Sequence, residues 1–326
     1  MNERDEVLSI YKLFCDFMTT EGIVYALSGV NLDIRRGAIH GLVGESGCGK
    51  SVTGRAIMAL HEPRHTRLSG EVRFDGQNLL ALPERELRRI RGRRVSMIFQ
   101  DPGASLSPLM PVGRQIAEAI TNHFTLPKPE LQSRVSALLE QVGLHSGVAR
   151  QYPFELSGGM QQRVMIAQAI ACKPELLIAD EPTTALDVTI QAQVLNLLKE
   201  LRTQLSLSVL LITHNFAVVA EVCDRVSVMY AGQIVETADA ATLISAAAHP
   251  YSLALINCIP RGRGAGDISA EQTPLPVIAG SPPRLYERPR GCPFAPRCKR
   301  ADTLCKTTPP LLDIDNDHKV RCHHAG

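Results

Sequence analysis

Between an apolar run and a helical one, this chain carries Gly44-Glu45-Ser46-Gly47-Cys48-Gly49-Lys50-Ser51, which satisfies G-x-x-x-x-G-K-S. The run before it is Ile39-His40-Gly41-Leu42-Val43, which reads as a buried strand, and Val52 to Leu60 after it reads as a helix. Strand, loop and helix are the context in which such a loop holds phosphate. The glycines let the backbone curl where a Cβ would clash. Amide N–H groups then converge, and the helix N-terminus adds positive potential. Lys50 is expected to reach outer phosphates and Ser51 to offer its hydroxyl to Mg2+. Cys48 reads as a small residue in a Ser-like position, and Val52 completes the expected contacts.

Two more strings follow in fixed order. Leu176-Leu177-Ile178-Ala179 is a continuous apolar run, as a parallel strand covered on both faces requires, and it ends in Asp180-Glu181. The first acid suits Mg2+ and the second suits an attacking water. Ser157-Gly158-Gly159 precedes a helical pattern through Val164, Ile166, Ala167 and Ile170. Ser is a good N-cap and the glycines expose backbone N–H groups, so this is a second phosphate-binding end. One chain has no use for two cradles. Two chains packed head to tail do, because the cradle of one closes over the ATP of the other.

Together the strings resemble those of ABC transporter ATP-binding subunits, over about residues 6–260. The resemblance implies ATP with Mg2+ and assigns roles residue by residue. Tyr25 is the aromatic expected to stack on adenine. Gln100, within Phe99-Gln100-Asp101-Pro102, senses Mg2+ and the membrane subunits. Glu181 is the catalytic base, Asp187 lies in the loop crossing the dimer interface, and His214 contacts the γ-phosphate. Two positions depart from the family pattern: Met160 ends an LSGGM where LSGGQ is usual, and Asn215 follows His214 where Asp is usual. Neither removes a catalytic group.

The expected class is α/β: a P-loop NTPase core of RecA-like design with an antiparallel β subdomain, an α-helical subdomain and a small Cys-rich extension. Residues 1–257 make the nucleotide-binding domain. Strand patterns at Val7–Phe14, Val30–Ile34 and Glu71–Phe74 supply the antiparallel part, about 106–172 the helical part, and 174–230 a return to strand–helix alternation. Residues 258–290, rich in Pro and Gly, read as an extended connector, and 291–326 as the extension. The separation between Lys50 and Ser157 is too short for the coiled-coil insertion of chromosome-maintenance ATPases.

Composition excludes several partners. A net charge of +2 suggests no strong polyanion, and the absence of Trp removes an evident base-stacking surface. The six arginines between Arg85 and Arg94 read as a solvated helix face, not a nucleic-acid site. Nothing approaches the roughly 20 apolar residues of a membrane span, and the first ten residues lack an apolar signal core. The expected location is peripheral, at the cytoplasmic face of the inner membrane.

Four of the nine cysteines cluster at the end, as Cys292, Cys298, Cys305 and Cys322, with spacing C-x5-C-x6-C-x16-C. In a reducing compartment such a cluster points to metal rather than disulfides. There is no C-x-x-C pair, and spacing alone leaves the metal open. The string Gly291-Cys292-Pro293-Phe294-Ala295-Pro296-Arg297-Cys298, with His249-Pro250-Tyr251 upstream, is similar to the C-terminal region of dipeptide and oligopeptide permease ATPases, parts of which nickel-uptake relatives share. That resemblance implies a [4Fe–4S] cluster, with zinc or no metal the alternative; His318, His323 and His324 are spare potential ligands by residue type but read first as a polar tail end. It also implies a second ATPase subunit, a homologous partner ahead of a second copy of this chain, together with two transmembrane permease subunits and an extracytoplasmic substrate-binding protein. Nickel or another peptide-like solute is the alternative cargo, and a non-transport ABC ATPase the remaining reading.

Overall fold

The computed structural model describes residues 5–184, 186–258, 277–288, 290–315 and 317–325, so most of the expected connector lies outside the described residues. Strands β1 (Glu6–Thr19) and β2 (Gly22–Arg35) form a long antiparallel hairpin. Strand β3 (Ile39–Val43) leads through the P-loop into α1 (Lys50–Ile57). Then β4 (Thr66–Phe74) returns to pair with β1, and β5 (Gln77–Asn78) pairs with β4. The result is an antiparallel sheet of order β2-β1-β4-β5.

Next come α2 (Glu84–Ile90) and β6 (Val95–Ile98). Helices α3 (Pro102–Ser105), α4 (Val112–Thr121), α5 (Lys128–Gln141) and α6 (Gly158–Ile170) build the helical lobe. Alternation resumes with β7 (Leu176–Asp180), α7 (Val188–Leu205), β8 (Ser208–Thr213), α8 (Phe216–Val222) and β9 (Arg225–Tyr230). The antiparallel β10 (Gln233–Asp239), then α9 (Ala240–Ala246) and α10 (Pro250–Asn257), follow. Two short tail strands, β11 (Leu312–Asp315) and β12 (His318–Val320), complete the second sheet, of order β11-β12-β10-β9-β3-β8-β7-β6.

The five strands from β9 to β6 in that order are parallel. Every residue of β7 and β8 is buried, and their alternation divides two cores. Leu177, Ala179, Val209 and Leu211 face the core shared with α6, α7 and the helical lobe. Leu176, Ile178, Leu210 and Ile212 face the core shared with α1 and the antiparallel sheet. Each fully buried Leu or Ile contributes about 1.5–3 kcal/mol, so continuous apolar strands are what a sheet covered on both faces selects. Register then aligns the strand ends: Val43 opposes Thr213, Ile212 opposes Asp180 and Ala179 opposes Ile98. Loops leaving these ends share one crevice, the usual place for a ligand in an open parallel sheet.

The arginine run is largely solvent-facing, as expected, and several of its members have partners within the chain. Arg88 and Arg91 pair with Glu84, Arg94 pairs with Glu175 and Asp75, and Arg93 lies over the Phe124 ring.

Candidate functional site

The P-loop is shaped by two close approaches. At Gly44 (φ 156°) an added Cβ would lie 2.2 Å from the Met229 carbonyl oxygen, and at Gly49 (φ 109°) 2.9 Å from that of Ala26. Both are left-handed conformations that a side chain would strain. The loop therefore lies directly on β9 and β2. Lys50 is buried, its Nζ donating to the carbonyls of Gly44 (2.8 Å) and Glu45 (3.0 Å). Cys48 is buried beneath the loop, and burial pushes its thiol up, which suits a packing residue rather than a reactive thiolate.

Ser51 Oγ donates to Asp180 Oδ1 at 2.8 Å. Asp180 is 1% exposed, and its Oδ2 has no hydrogen-bond partner. Burial pushes its carboxyl above the ordinary range, and the Ser51 hydroxyl offsets this only in part. A buried carboxylate oxygen left unpartnered beside a hydroxyl is a fitting place for a divalent cation. Ser51 and Asp180 are thus able to hold Mg2+, and Gln100, the third expected ligand, lines the same cavity as Ser51.

Glu181 follows at the strand end with φ 48°, a strained conformation held by its N–H to the Ile212 carbonyl (2.9 Å). Its Oε2 accepts from Gln100 Nε2 (2.9 Å) and Thr184 Oγ1 (2.9 Å), and Oε1 lies 3.1 Å from His214 Nδ1. Burial, the largest single influence, raises this carboxyl, but the contacts with His214 and Thr184 and the charge of Lys50 together outweigh it and hold the group below its ordinary value. The carboxylate is ionised at neutral pH and anchored by three groups.

Ser46, Gly47, Gly49, Lys50, Ser51, Val52, Gln100, Glu181 and His214 line one cavity of about 580 Å³. Gly44, Glu45, Cys48 and Asp180 support it from the loop and the strand behind. Four other expected residues lie elsewhere. Ser157 caps α6, its Oγ accepting from Met160 N (3.4 Å), and with Gly158 is exposed; Gly159 packs against Ile190. Asp187 is exposed and caps α7, its Oδ1 accepting from Ile190 N (3.0 Å). None of these lines the cavity, so within one chain the second cradle faces outward.

Tyr25 requires a correction. Strand alternation puts Val24 and Ala26 on the cavity wall and turns Tyr25 to the other face, where its ring carries the Arg288 guanidinium at 4.8 Å. Phe17, paired with Val24, is the aromatic on the wall, packed edge-on to His61. Leu285, from the chain leading into the extension, joins the same wall. Thr184 is a second residue the sequence reading passed over; its place three residues after Glu181 is the signal.

The two departures are structurally mild. Asn215 Oδ1 accepts from Ala217 N (3.0 Å) and caps α8, a role Asn fills as well as Asp. Met160 is half-buried against the core of the helical lobe.

In the extension, Cys305 and Cys322 are buried and Cys292 and Cys298 half-buried. Cys292 N–H donates to the Cys305 carbonyl (2.9 Å). The Cys292 thiol is raised by burial and by the proximity of Cys305 and Cys322, and that of Cys322 by burial and by Cys298 and Cys305. Backbone amides of Arg300 and His324 donate to the sulfurs of Cys298 and Cys322, at 3.4 and 3.3 Å. Among the described residues, Asp302, Cys305 and His324 form a trio whose ligand atoms lie within 4.8 Å of one another. His318 is not a spare ligand: it is buried, 2.7 Å from Glu236. His323 Nε2 lies 3.2 Å from the Thr307 carbonyl.

Two family models match: ABC transporter over residues 27–184, and oligopeptide/dipeptide transporter C-terminal region over 235–305. A probable peptide ABC transporter ATP-binding protein of Sinorhizobium fredii is 48% identical over 99% of this chain and 96% of its own length. The oligopeptide transport ATP-binding protein OppD of Escherichia coli is 44% identical over 96% and 91%, respectively. The dipeptide transport ATP-binding protein DppD of Bacillus subtilis is 44% identical over 98% and 94%. Among solved structures, the dimeric ATP-binding cassette MJ0796 bound to ADP and Pi superposes with a TM-score of 0.65 at 30% identity, covering 72% of this chain and 98% of that one. With its phosphate loop, acidic strand end and outward second cradle on one scaffold, the chain belongs to the ABC transporter ATP-binding proteins.

Proposed function

We propose that this chain is the ATP-hydrolysing subunit of an importer for di- or oligopeptides. The carrying observation is the coincidence, in one chain, of the Lys50–Asp180–Glu181–His214 cavity with a C-terminal region of oligopeptide/dipeptide transporter type. Among the described residues no helix is long and apolar enough to cross a membrane, so passage of cargo falls to partners. Those partners are a homologous second ATPase subunit, two transmembrane permease subunits and an extracytoplasmic substrate-binding protein. The chain works peripherally, at the cytoplasmic face of the inner membrane.

The residues divide the chemistry as follows. P-loop amides and Lys50 hold the phosphates, Ser51 and Asp180 hold Mg2+, and Phe17 takes the adenine role that Tyr25 leaves. Mg2+, when bound, offsets charge on the phosphate oxygens. Glu181 orients a water and accepts its proton as the water oxygen bonds to the γ-phosphorus and the bond to ADP breaks. His214 steadies both Glu181 and the γ-phosphate, and Gln100 reports the state of the site to the permease. Ser157, Gly158 and Gly159 of a second subunit close the cavity, with Asp187 at the interface. Closure and reopening then gate the pathway.

The tail is assigned a [4Fe–4S] cluster on Cys292, Cys298, Cys305 and Cys322. Four neighbouring thiols with amide N–H groups donating to sulfur are the donor set such a cluster takes.

Uptake of labelled peptide tests the import reading. Cells carrying the chain with its permease and binding subunits should accumulate di- or tripeptide, and Lys50→Ala should abolish it. Accumulation of nickel but not peptide, or uptake indifferent to Lys50→Ala, would contradict the reading.

A further inference from the structure

Outside the cavity, Arg297 stands one residue before Cys298. Its side chain is 5% exposed yet belongs to the extension, not to the core. Nη1 and Nη2 reach the two carboxylate oxygens of Glu45 at 2.6 and 2.9 Å, a bidentate pair with the second residue of the P-loop. The remaining donors are also used: Nε to the Ala279 carbonyl (2.9 Å), Nη2 to that of Ile278 (3.3 Å) and Nη1 to the Tyr230 hydroxyl (3.3 Å). From the other side, Glu45 N–H donates to the Tyr251 hydroxyl at 2.9 Å. Both tyrosines are fully buried and pack on Phe294, itself inside the extension, with centroids 5.3 Å apart in each case. The P-loop is thus gripped at Glu45 by a side chain and a backbone contact, both tied to the turn that carries Cys292 and Cys298.

Nothing in phosphate binding requires this. The loop's amides and Lys50 suffice for the phosphates, and Glu45 points away from them toward the extension. We propose that Arg297 is a positioning residue: it fixes the P-loop through Glu45, so that nucleotide affinity depends on how the four-cysteine extension is held. A fork-shaped guanidinium fixes two oxygens at once, whereas an ammonium supplies only a point charge. By linkage, whatever orders the extension favours nucleotide, and nucleotide favours the ordered extension. The inference rests on ATP binding at the P-loop, which the wild-type titration checks in the same experiment.

The test is the dissociation constant for a non-hydrolysable ATP analogue with Mg2+, measured on the full chain purified without air. Wild type, Arg297→Gln, Arg297→Lys, Glu45→Gln and the Arg297→Gln/Glu45→Gln double variant are compared at a temperature where circular dichroism shows all folded. Loss of the clamp should weaken binding about tenfold, inside the roughly 5–150-fold range of coupling between sites. Arg297→Lys should not rescue, and the double variant should be no weaker than either single one. Unchanged affinity in Arg297→Gln and Glu45→Gln, or additive losses in the double variant, would overturn the clamp. If Arg297→Gln does not fold, Glu45→Gln decides alone, since it leaves the extension intact. Failure of the wild type to bind would overturn the ATP reading and the clamp together.

Discussion

Glu181 and His40 show how the same fold treats two titratable residues in opposite ways. Glu181 is surrounded by donors and stays ionised. His40, in the strand before the P-loop, meets Ser227 Oγ at 2.9 Å, and burial, with Arg225 and Arg35 adding to it, lowers it from 6.5 to about 3. His249, whose Nδ1 accepts from Tyr251 N, is likewise lowered by burial, to about 4. Both are neutral in the folded chain at neutral pH. A histidine depressed on folding binds fewer protons folded than unfolded between its two values. Its contribution to stability is therefore complete above about pH 6.5 and is lost as pH falls toward 4 and 3. The urea midpoint should fall steadily from pH 7 to 4.5, and His40→Asn should make that fall shallower. An unchanged slope in the variant would show that His40 is not the group responsible.

At the scale of elements, the extension is welded to the core rather than tethered to it. Strand β12 pairs with β10, so the tail prolongs the core sheet. Behind that pairing, buried Glu236 accepts from the amides of Ala248 (2.6 Å) and His249 (3.0 Å) and meets His318 Nε2 at 2.7 Å. Cys322, two residues after β12, therefore sits on a fixed platform. Purified without air, the chain should contain about four iron and four sulfide, both lost in Cys298→Ser. Zinc in their place, or no metal, would contradict the cluster. Much of this architecture was legible in the sequence where burial is two-sided. Strands β3, β7 and β8 are buried throughout and mostly apolar, and the P-loop sits at the end of the first. The face of Tyr25 was not legible, because the hairpin carries a register shift between Cys15 and Asp16 that decides which of two aromatics meets the cavity. Nor were β11 and β12, which are short, polar and held by pairing rather than by an apolar pattern of their own. Arg297 escaped because its partner lies far upstream in the chain, at Glu45.

Taken whole, the molecule is half of a catalytic device. On the proposed reading one cavity, lined by Lys50, Ser51, Gln100, Glu181 and His214, would take the phosphates, the cation and the water, while Ser157 and Gly158, the proposed second cradle, stand exposed on the helical lobe. This division explains why the chain carries two phosphate-binding ends, and it places hydrolysis under the control of assembly. The decisive measurement is ATP binding and hydrolysis by wild type and Glu181→Gln in vesicles containing the partner ATPase and permease subunits. The variant should bind ATP as the wild type does and hydrolyse it about 10²–10⁴-fold more slowly, as loss of a positioned base requires. Hydrolysis by Glu181→Gln at the wild-type rate would contradict the account at its centre.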